Sequence, residues 1–232
     1  MDLAVFGANG PTGRLVVRQA LAAGHHITAV TRKPDTYPLH APRLDVVAAD
    51  VADPDAVARA LAGAHAVIST FGVPYGRKPI TVYSRGVFNI ARAMADQGIA
   101  RLVCVSSTTV ATGDAPGESL FWRKALIPLV RHVIGRTVYD DMERMEEVVQ
   151  QSDLDWTIVR RAGLFDADAP TADYGVSTRR LLGRLTSRAH LAETLIREAI
   201  TPQHARQIIE VITRSGLPSS TAFLRKTFGR EE

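Results

Sequence analysis

Leu3-Ala4-Val5-Phe6-Gly7-Ala8-Asn9-Gly10-Pro11-Thr12-Gly13-Arg14-Leu15-Val16 decides how this chain is read. Leu3–Phe6 is an apolar run of strand length, closed by Gly7. Thr12–Ala23 carries Leu15, Val16, Gln19 and Ala20 at helical spacing and stops at Gly24. Between the two, glycine recurs at every third position. The first glycine permits a tight turn. The second lets a backbone approach a diphosphate with no Cβ in the way, and the third allows close helix–strand packing. Amides at the start of the helix then face the phosphates with the positive end of the helix dipole behind them. Asn9 is expected to take the left-handed region and brace the turn, Pro11 to open the helix, and Thr12 to hydrogen-bond a phosphate oxygen. Gly7, Asn9, Gly10, Pro11, Thr12 and Gly13 are therefore candidate cofactor ligands. The alternative is a strand–helix turn kept for packing alone.

Working outward, His26–Thr31 reads as a second strand, and Thr31-Arg32-Lys33 follows it. An Asp or Glu at this place serves the ribose hydroxyls of NAD. A guanidinium instead suits a 2′-phosphate, which a carboxylate would repel. Arg32 and Lys33, flanked by Arg14, thus favour NADP(H); Asp35, further along, keeps NAD(H) as the less favoured choice. Leu44–Ala48 is a third strand, after which Asp50 can accept from an adenine amino group while Val51 packs on the ring; a turn role for Asp50 is the alternative. Asp53 caps a helix opened by Pro54 and running to about Leu61. Ala66–Thr70 is a fourth strand, and Thr70, Phe71 and Gly72 border the crevice at its end.

The alternation continues with a helix over Ile80–Gln97, a strand over Arg101–Ser106, a helix over Thr137–Gln151 and a strand over Trp156–Val159. Such a series implies parallel strands covered on both faces, an α/β doubly wound sheet of Rossmann type. Arg161–Arg180 reads as a long loop, Ser187–Ala199 as a helix and Gln207–Thr213 as a final strand. Residues 161–200 are expected to form a small irregular C-terminal cap on a single domain spanning 1–232.

Composition narrows the function. The chain has 232 residues, 46% hydrophobic and 22% charged, enough to bury a core without staples. One cysteine, Cys104, rules out an intrachain disulfide and a paired-cysteine zinc site. The seven histidines show no ligand spacing, so no metal is expected. The net charge of +4 is spread along the chain, which argues against nucleic acid. No apolar stretch approaches the ~20 residues of a membrane span, and no signal peptide is visible, so a cytoplasmic location is expected.

These residues resemble the NmrA-like, atypical branch of the short-chain dehydrogenase/reductase superfamily, which includes flavin and biliverdin reductase-like proteins. The carriers are Gly7–Gly13, Asp50 near Asp53, Ser106-Ser107, and Leu154-Asp155-Trp156-Thr157-Ile158-Val159-Arg160, where Arg161 replaces the branch's proline. The resemblance covers about residues 1–165. It implies Ser106, Ser107 and Tyr139 as candidate catalytic residues. The superfamily's Tyr-x-x-x-Lys pairing, which lowers a phenol's pKa, is broken here: Glu143 stands four residues after Tyr139. Reduction of flavins or conjugated systems does not need that relay, because the cofactor carries the chemistry.

Phe71, Tyr75, Phe121, Trp122 and Phe165 either wall an aromatic acceptor or pack the core. The basic residues Arg123, Lys124, Arg131, His132 and Arg136, with Arg179, Arg180, Arg184 and Arg188, read as a solvated face. The expectation is an NADPH-dependent oxidoreductase passing hydride to a small, aromatic or quinone-like molecule, as a monomer or homodimer. A non-catalytic NADP(H)-binding redox sensor and a non-redox enzyme are the alternatives.

Overall fold

The computed structural model describes residues 1–76, 78–111, 117, 124, 127–167 and 169–219. In chain order the elements are β1 (Asp2–Phe6), α1 (Pro11–Ala22), β2 (His26–Thr31), β3 (Leu44–Ala48), α2 (Pro54–Ala60), β4 (Ala66–Ser69), α3 (Ser84–Asp96) and β5 (Arg101–Ser107). There follow α4 (Ile127–Leu129), which runs into a π-helical turn over Val130–Ile134, then α5 (Arg136–Gln150), β6 (Asp155–Arg161), β7 (Gly163–Phe165), β8 (Tyr174–Ser177), β9 (Leu185–Ser187), α6 (Arg188–Ile200) and β10 (Gln207–Thr213).

The main sheet has the order β3-β2-β1-β4-β5-β6-β10-β8, and β7 pairs with β9 in a small second sheet. Every neighbouring pair of the main sheet is parallel except β10–β8. The chain leaves β1 on one side for β2 and returns on the other as β4, so the order reverses beside the end of β1. That reversal opens a crevice at the strand C-termini, where open α/β sheets take their ligands.

Period-two strands distribute the core. Ala4 and Phe6 of β1 join Val57, Tyr83, Ile90, Met94, Met142 and Met145 beneath α2, α3 and α5. Leu3 and Val5 join Val16, Val17, Ile27, Leu191 and Leu195 beneath α1 and α6. Full burial of each such side chain contributes about 1.5–3 kcal/mol. Asp53 caps α2 by accepting from the amides of Asp55 and Ala56, as its sequence position predicts. Gln207–Thr213 is a strand, paired in parallel with β6.

Two expectations are corrected. The helix read over Ile80–Gln97 begins only at Ser84. Its opening amides at Tyr83 and Ser84 donate to Asp141 Oδ2 of α5, at 2.9 and 3.4 Å, so the cap comes from another helix and leaves residues 78–82 as a connecting segment. The loop read over Arg161–Arg180 contains β7 and β8. Each is only three or four residues long and contains a glycine, so neither carries a local signal, and their pairing partners supply the order. Within the segment expected as a cap, α6 is capped by Ser187 and buries Leu191 and Leu195 against the sheet in the same layer as α1.

Candidate active site

The glycine turn is built as three different solutions to crowding. Gly7 has φ of +74°, and a Cβ there would sit 2.9 Å from Thr70 O. Gly13 lies against the turn itself: a Cβ would fall 2.3 Å from Gly7 O and 2.8 Å from Ala8 Cα. Gly10 has ordinary extended dihedrals, φ −71° and ψ 161°, and a Cβ there would meet only Gly7 O, at 3.3 Å. Gly10 is the N-cap of α1, Pro11 occupies the first turn, and no side chain caps this helix. The α1 opening amides thus have no side-chain cap at the crevice end of β1, as is also true of α5, whereas α2, α3 and α6 have carboxylate or hydroxyl caps. Thr12 is nearly buried in this first turn.

Asn9 does not adopt the left-handed region expected of it; Gly7 takes that role in the turn. Asn9 Oδ1 instead accepts from Arg14 Nε and Nη2, at 3.1 and 2.7 Å. This bond tethers Arg14 to the turn. Tyr37 was not singled out by sequence, yet its ring is buried beside the turn and its hydroxyl donates to Ala8 O at 3.4 Å. Burial pushes its phenol up to about 12, against the opposing pull of Arg14 and Arg18. Arg32 and Lys33 lie exposed just past β2, and the Lys33 amide donates to Thr31 Oγ1 at 3.2 Å.

Asp50 has the turn role: its Oδ1 accepts from the Ala52 amide at 2.9 Å, and the residue is exposed. Val51 packs toward the end of β4, with Val51 Cγ2 and Phe71 Cε2 both bordering Gly86, where a Cβ would approach them to 3.0 and 3.1 Å. Thr70 Oγ1 donates to Phe6 O at 2.9 Å, tying the end of β4 to the end of β1. Phe71 packs edge-on against Tyr83, and Gly72 is exposed.

The candidate catalytic residues separate. Ser106 is fully buried, and its Oγ donates to Glu146 Oε1 at 2.5 Å. Glu146 also accepts from Arg160 Nε at 2.9 Å and Nη2 at 2.5 Å. The Ser106 hydroxyl is therefore spent inside a buried ion network, not offered to an acceptor. Ser107 Oγ accepts from the Thr109 amide at 3.2 Å, a turn-capping role, and the residue is buried. Tyr139 is also buried, and its hydroxyl pairs with that of Tyr75 at 2.7 Å. Glu143, at the lysine's place, turns away to Arg131, 2.7 Å from its Nη2.

Tyr75 and Gly135 are further residues of this corner. Burial pushes the Tyr75 phenol up, with the Tyr139 pairing adding to it. Gly135 is needed by both rings: a Cβ there would lie 2.4 Å from Tyr139 Cε2 and 2.9 Å from Tyr75 Cε1. Thr137 Oγ1 donates to Gly76 O at 2.9 Å and latches the segment after β4 onto α5. A π-helical turn immediately precedes Gly135, and it is not legible in sequence.

A family model described as NAD(P)H-binding matches residues 7–202. The chain belongs to this NAD(P)H-binding family. An uncharacterized chloroplastic protein of Arabidopsis thaliana is 30% identical over 224 residues, covering 92% of this chain and 77% of that protein. Solved structures share the fold at lower identity. A short-chain dehydrogenase/reductase from Veillonella parvula, in complex with NADP, superposes with a TM-score of 0.76 at 19% identity, covering 94% of this chain and 98% of that one. An anaerobillin reductase from Escherichia coli O157:H7 superposes with a TM-score of 0.70 at 22% identity, covering 94% and 100%.

Within this NAD(P)H-binding chain the remaining expected features disperse. Phe121, Trp122 and Arg123 lie outside the described residues. Phe165 is buried in β7. The basic runs are not simply solvated: Arg131 pairs with Asp140 and Glu143, Arg188 with Asp166, and Arg180 with Glu210. Cys104 is buried in β5, and burial pushes its thiol up. Among the described residues no His, Cys, Asp or Glu cluster is arranged to hold a metal, and no helix is long and apolar enough to cross a membrane.

Proposed function

We propose that this protein is an NADPH-dependent reductase acting on a small, conjugated acceptor of aromatic or quinone-like character. The observation that carries this reading is the uncapped start of α1 behind Gly7 and Gly10, set beside the reversal in strand order. Bound there, the cofactor supplies hydride from its nicotinamide. Gly7, Gly10, Thr12 and Gly13 hold the diphosphate through backbone amides and the Thr12 hydroxyl. Arg32 and Lys33, with Arg14 fixed by Asn9, hold the 2′-phosphate. Val51 packs on the adenine side of the crevice, with Asp50 near its rim, and Thr70, Phe71 and Gly72 border the nicotinamide side. The NADP-bound structural neighbour and the reductase activity named for another neighbour point the same way.

The proton has a different source from that of Tyr-x-x-x-Lys enzymes. Glu143 and not lysine stands four residues after Tyr139, and Ser106 is engaged by Glu146. A phenol is protonated at neutral pH, so the Tyr75–Tyr139 pair orients an acceptor through an O–H donor, and solvent supplies the net proton. The same engagement of Ser106 favours a second reading, a non-catalytic NADP(H) sensor. Steady-state oxidation of NADPH against a panel of quinones, flavins and aldehydes separates the two. Turnover with at least one acceptor, abolished by Gly10→Val, is the expected result. Tight NADPH binding with no turnover across the panel selects the sensor.

A further inference from the structure

Of the described residues 32–48, Tyr37 alone is buried. Its ring is 3% exposed, while the rest of the connection from β2 to β3 is exposed or half-buried. An enclosed aromatic side chain buries about 150–250 Å², so this ring is the anchor that holds the connection against the molecule. It belongs to the core beneath α1, together with Ala8 of the glycine turn and Val16 and Val17 of the helix. Its hydroxyl donates to Ala8 O at 3.4 Å.

Short bonds link that anchor to the cations just before it. The Lys33 amide donates to Thr31 Oγ1 at 3.2 Å, at the end of β2. The Tyr37 amide closes one tight turn onto Pro34 O at 3.0 Å, and Thr36 Oγ1 donates to Lys33 O at 3.4 Å. Arg32 and Lys33 are thereby held between a strand end and a buried ring. On the other side of the contact, Ala8 adjoins Asn9, whose Oδ1 holds Arg14. The Tyr37–Ala8 contact thus joins the segment that carries Arg32 and Lys33 to the turn that carries Arg14. Cations from two segments converge on one phosphate only while those segments keep their spacing. A spacing fixed before the ligand arrives spares the cost of ordering the loop on binding.

We propose that Tyr37 is a positioning residue for cofactor choice: it pins the β2–β3 connection to the glycine turn and so sets the preference for NADPH over NADH. This rests on the NADPH reading above, in which Arg14, Arg32 and Lys33 hold the 2′-phosphate. NADH has no such phosphate, so its binding does not sense the spacing.

The test compares dissociation constants for NADPH and NADH, as a ratio, in wild type, Tyr37→Leu and Tyr37→Phe. The full chain is titrated by fluorescence, and the same samples are melted. Wild type is expected to favour NADPH by about tenfold or more. Tyr37→Leu removes the hydroxyl and part of the buried ring; it should erase most of that preference, with NADH affinity within about twofold of wild type. Tyr37→Phe keeps the ring seated and loses only the bond to Ala8, so the ratio should fall about threefold, the worth of one ordinary hydrogen bond. A wild-type ratio retained in Tyr37→Leu overturns the proposal. So does an equal loss of both affinities, which would make Tyr37 a support of the glycine turn alone. Should Tyr37→Leu show no cooperative melt, Tyr37→Phe decides, and an unchanged ratio there overturns the proposal. Equal binding of the two nucleotides by wild type would remove the 2′-phosphate reading itself and the proposal with it, a result read before any variant is made.

Discussion

A methyl group added at Gly10 and one added at Gly13 should differ in stability while both weaken cofactor binding. At Gly10 the dihedrals suit any L residue, and the nearest atom to a new Cβ is Gly7 O at 3.3 Å. A few tenths of an ångström of adjustment relieves that contact, so Gly10→Ala should change stability by less than about 0.5 kcal/mol. For a chain of this size that is a shift in Tm of no more than about 2 °C. The methyl does, however, project where a diphosphate must approach the backbone. NADPH affinity should fall by about tenfold or more, or at least about 1.4 kcal/mol. At Gly13 the same methyl lies 2.3 Å from Gly7 O, against an ordinary contact beginning near 3.4 Å. The turn and helix would have to part by about 1 Å, and both are backbone, so an overpacking penalty of about 1–3 kcal/mol is expected. Gly13→Ala should therefore melt several degrees lower and bind NADPH poorly as well. Thermal melting together with fluorescence titration of NADPH measures both quantities. If Gly10→Ala folds normally and binds NADPH within twofold of wild type, the diphosphate does not lie on this turn and the site assignment is wrong.

Other consequences are open to measurement. Arg32→Asp should weaken NADPH binding by about ten- to a hundredfold, the loss of one or two charge-assisted bonds, while NADH binding changes little; equal effects on both would remove the 2′-phosphate assignment. Glu146→Leu strands the largely buried Arg160 and should cost about 3–5 kcal/mol in denaturant unfolding, with Arg160→Met added to it recovering most of the loss. A single-variant cost below about 1 kcal/mol would mean that Arg160 escapes to solvent and that the network does not hold the strand. His190 is held below its usual range by burial, and its Nε2 accepts the Thr171 amide at 2.8 Å, so the folded protein keeps it neutral. The unfolded chain then binds the extra proton: this stability is present above about pH 6.5 and is lost as pH falls through the lowered folded value. The gap in Tm between wild type and His190→Gln should narrow from about pH 7.5 to about pH 5; a constant gap would show that His190 does not titrate on unfolding.

The parts of the fold that were legible are those where one segment carries its own signal. β1 through β6 are short apolar runs, and α2 announces itself through Asp53 and Pro54. The glycine turn was legible because its spacing has only a few physical uses. What escaped depends on partners far along the chain. β7 and β8 are too short to show a period and take their order from β9 and β10. The start of α3 is set by Asp141, which no local pattern in residues 80–84 reveals. In the site, Ser106 ends a strand just where an acceptor-facing hydroxyl is expected. Only the packing of α5 shows that Glu146 has taken it. The Tyr75–Tyr139 pair spans 64 positions and depends on Gly135, whose absent side chain carries no hydrophobic pattern to read.

Asp141 also bears on how the molecule is made. The carboxylate that receives the Tyr83 amide lies 58 positions downstream of it. On a growing chain that leaves the ribosome amino end first, α3 emerges with its opening amides bare and stays so until α5 has been synthesised and has docked. The N-terminal half cannot finish itself early. Completion of the sheet's α3 side is therefore timed by the arrival of α5, the helix that also delivers Tyr139 and Glu146, so backbone closure on this face and assembly of the phenol corner occur in one event.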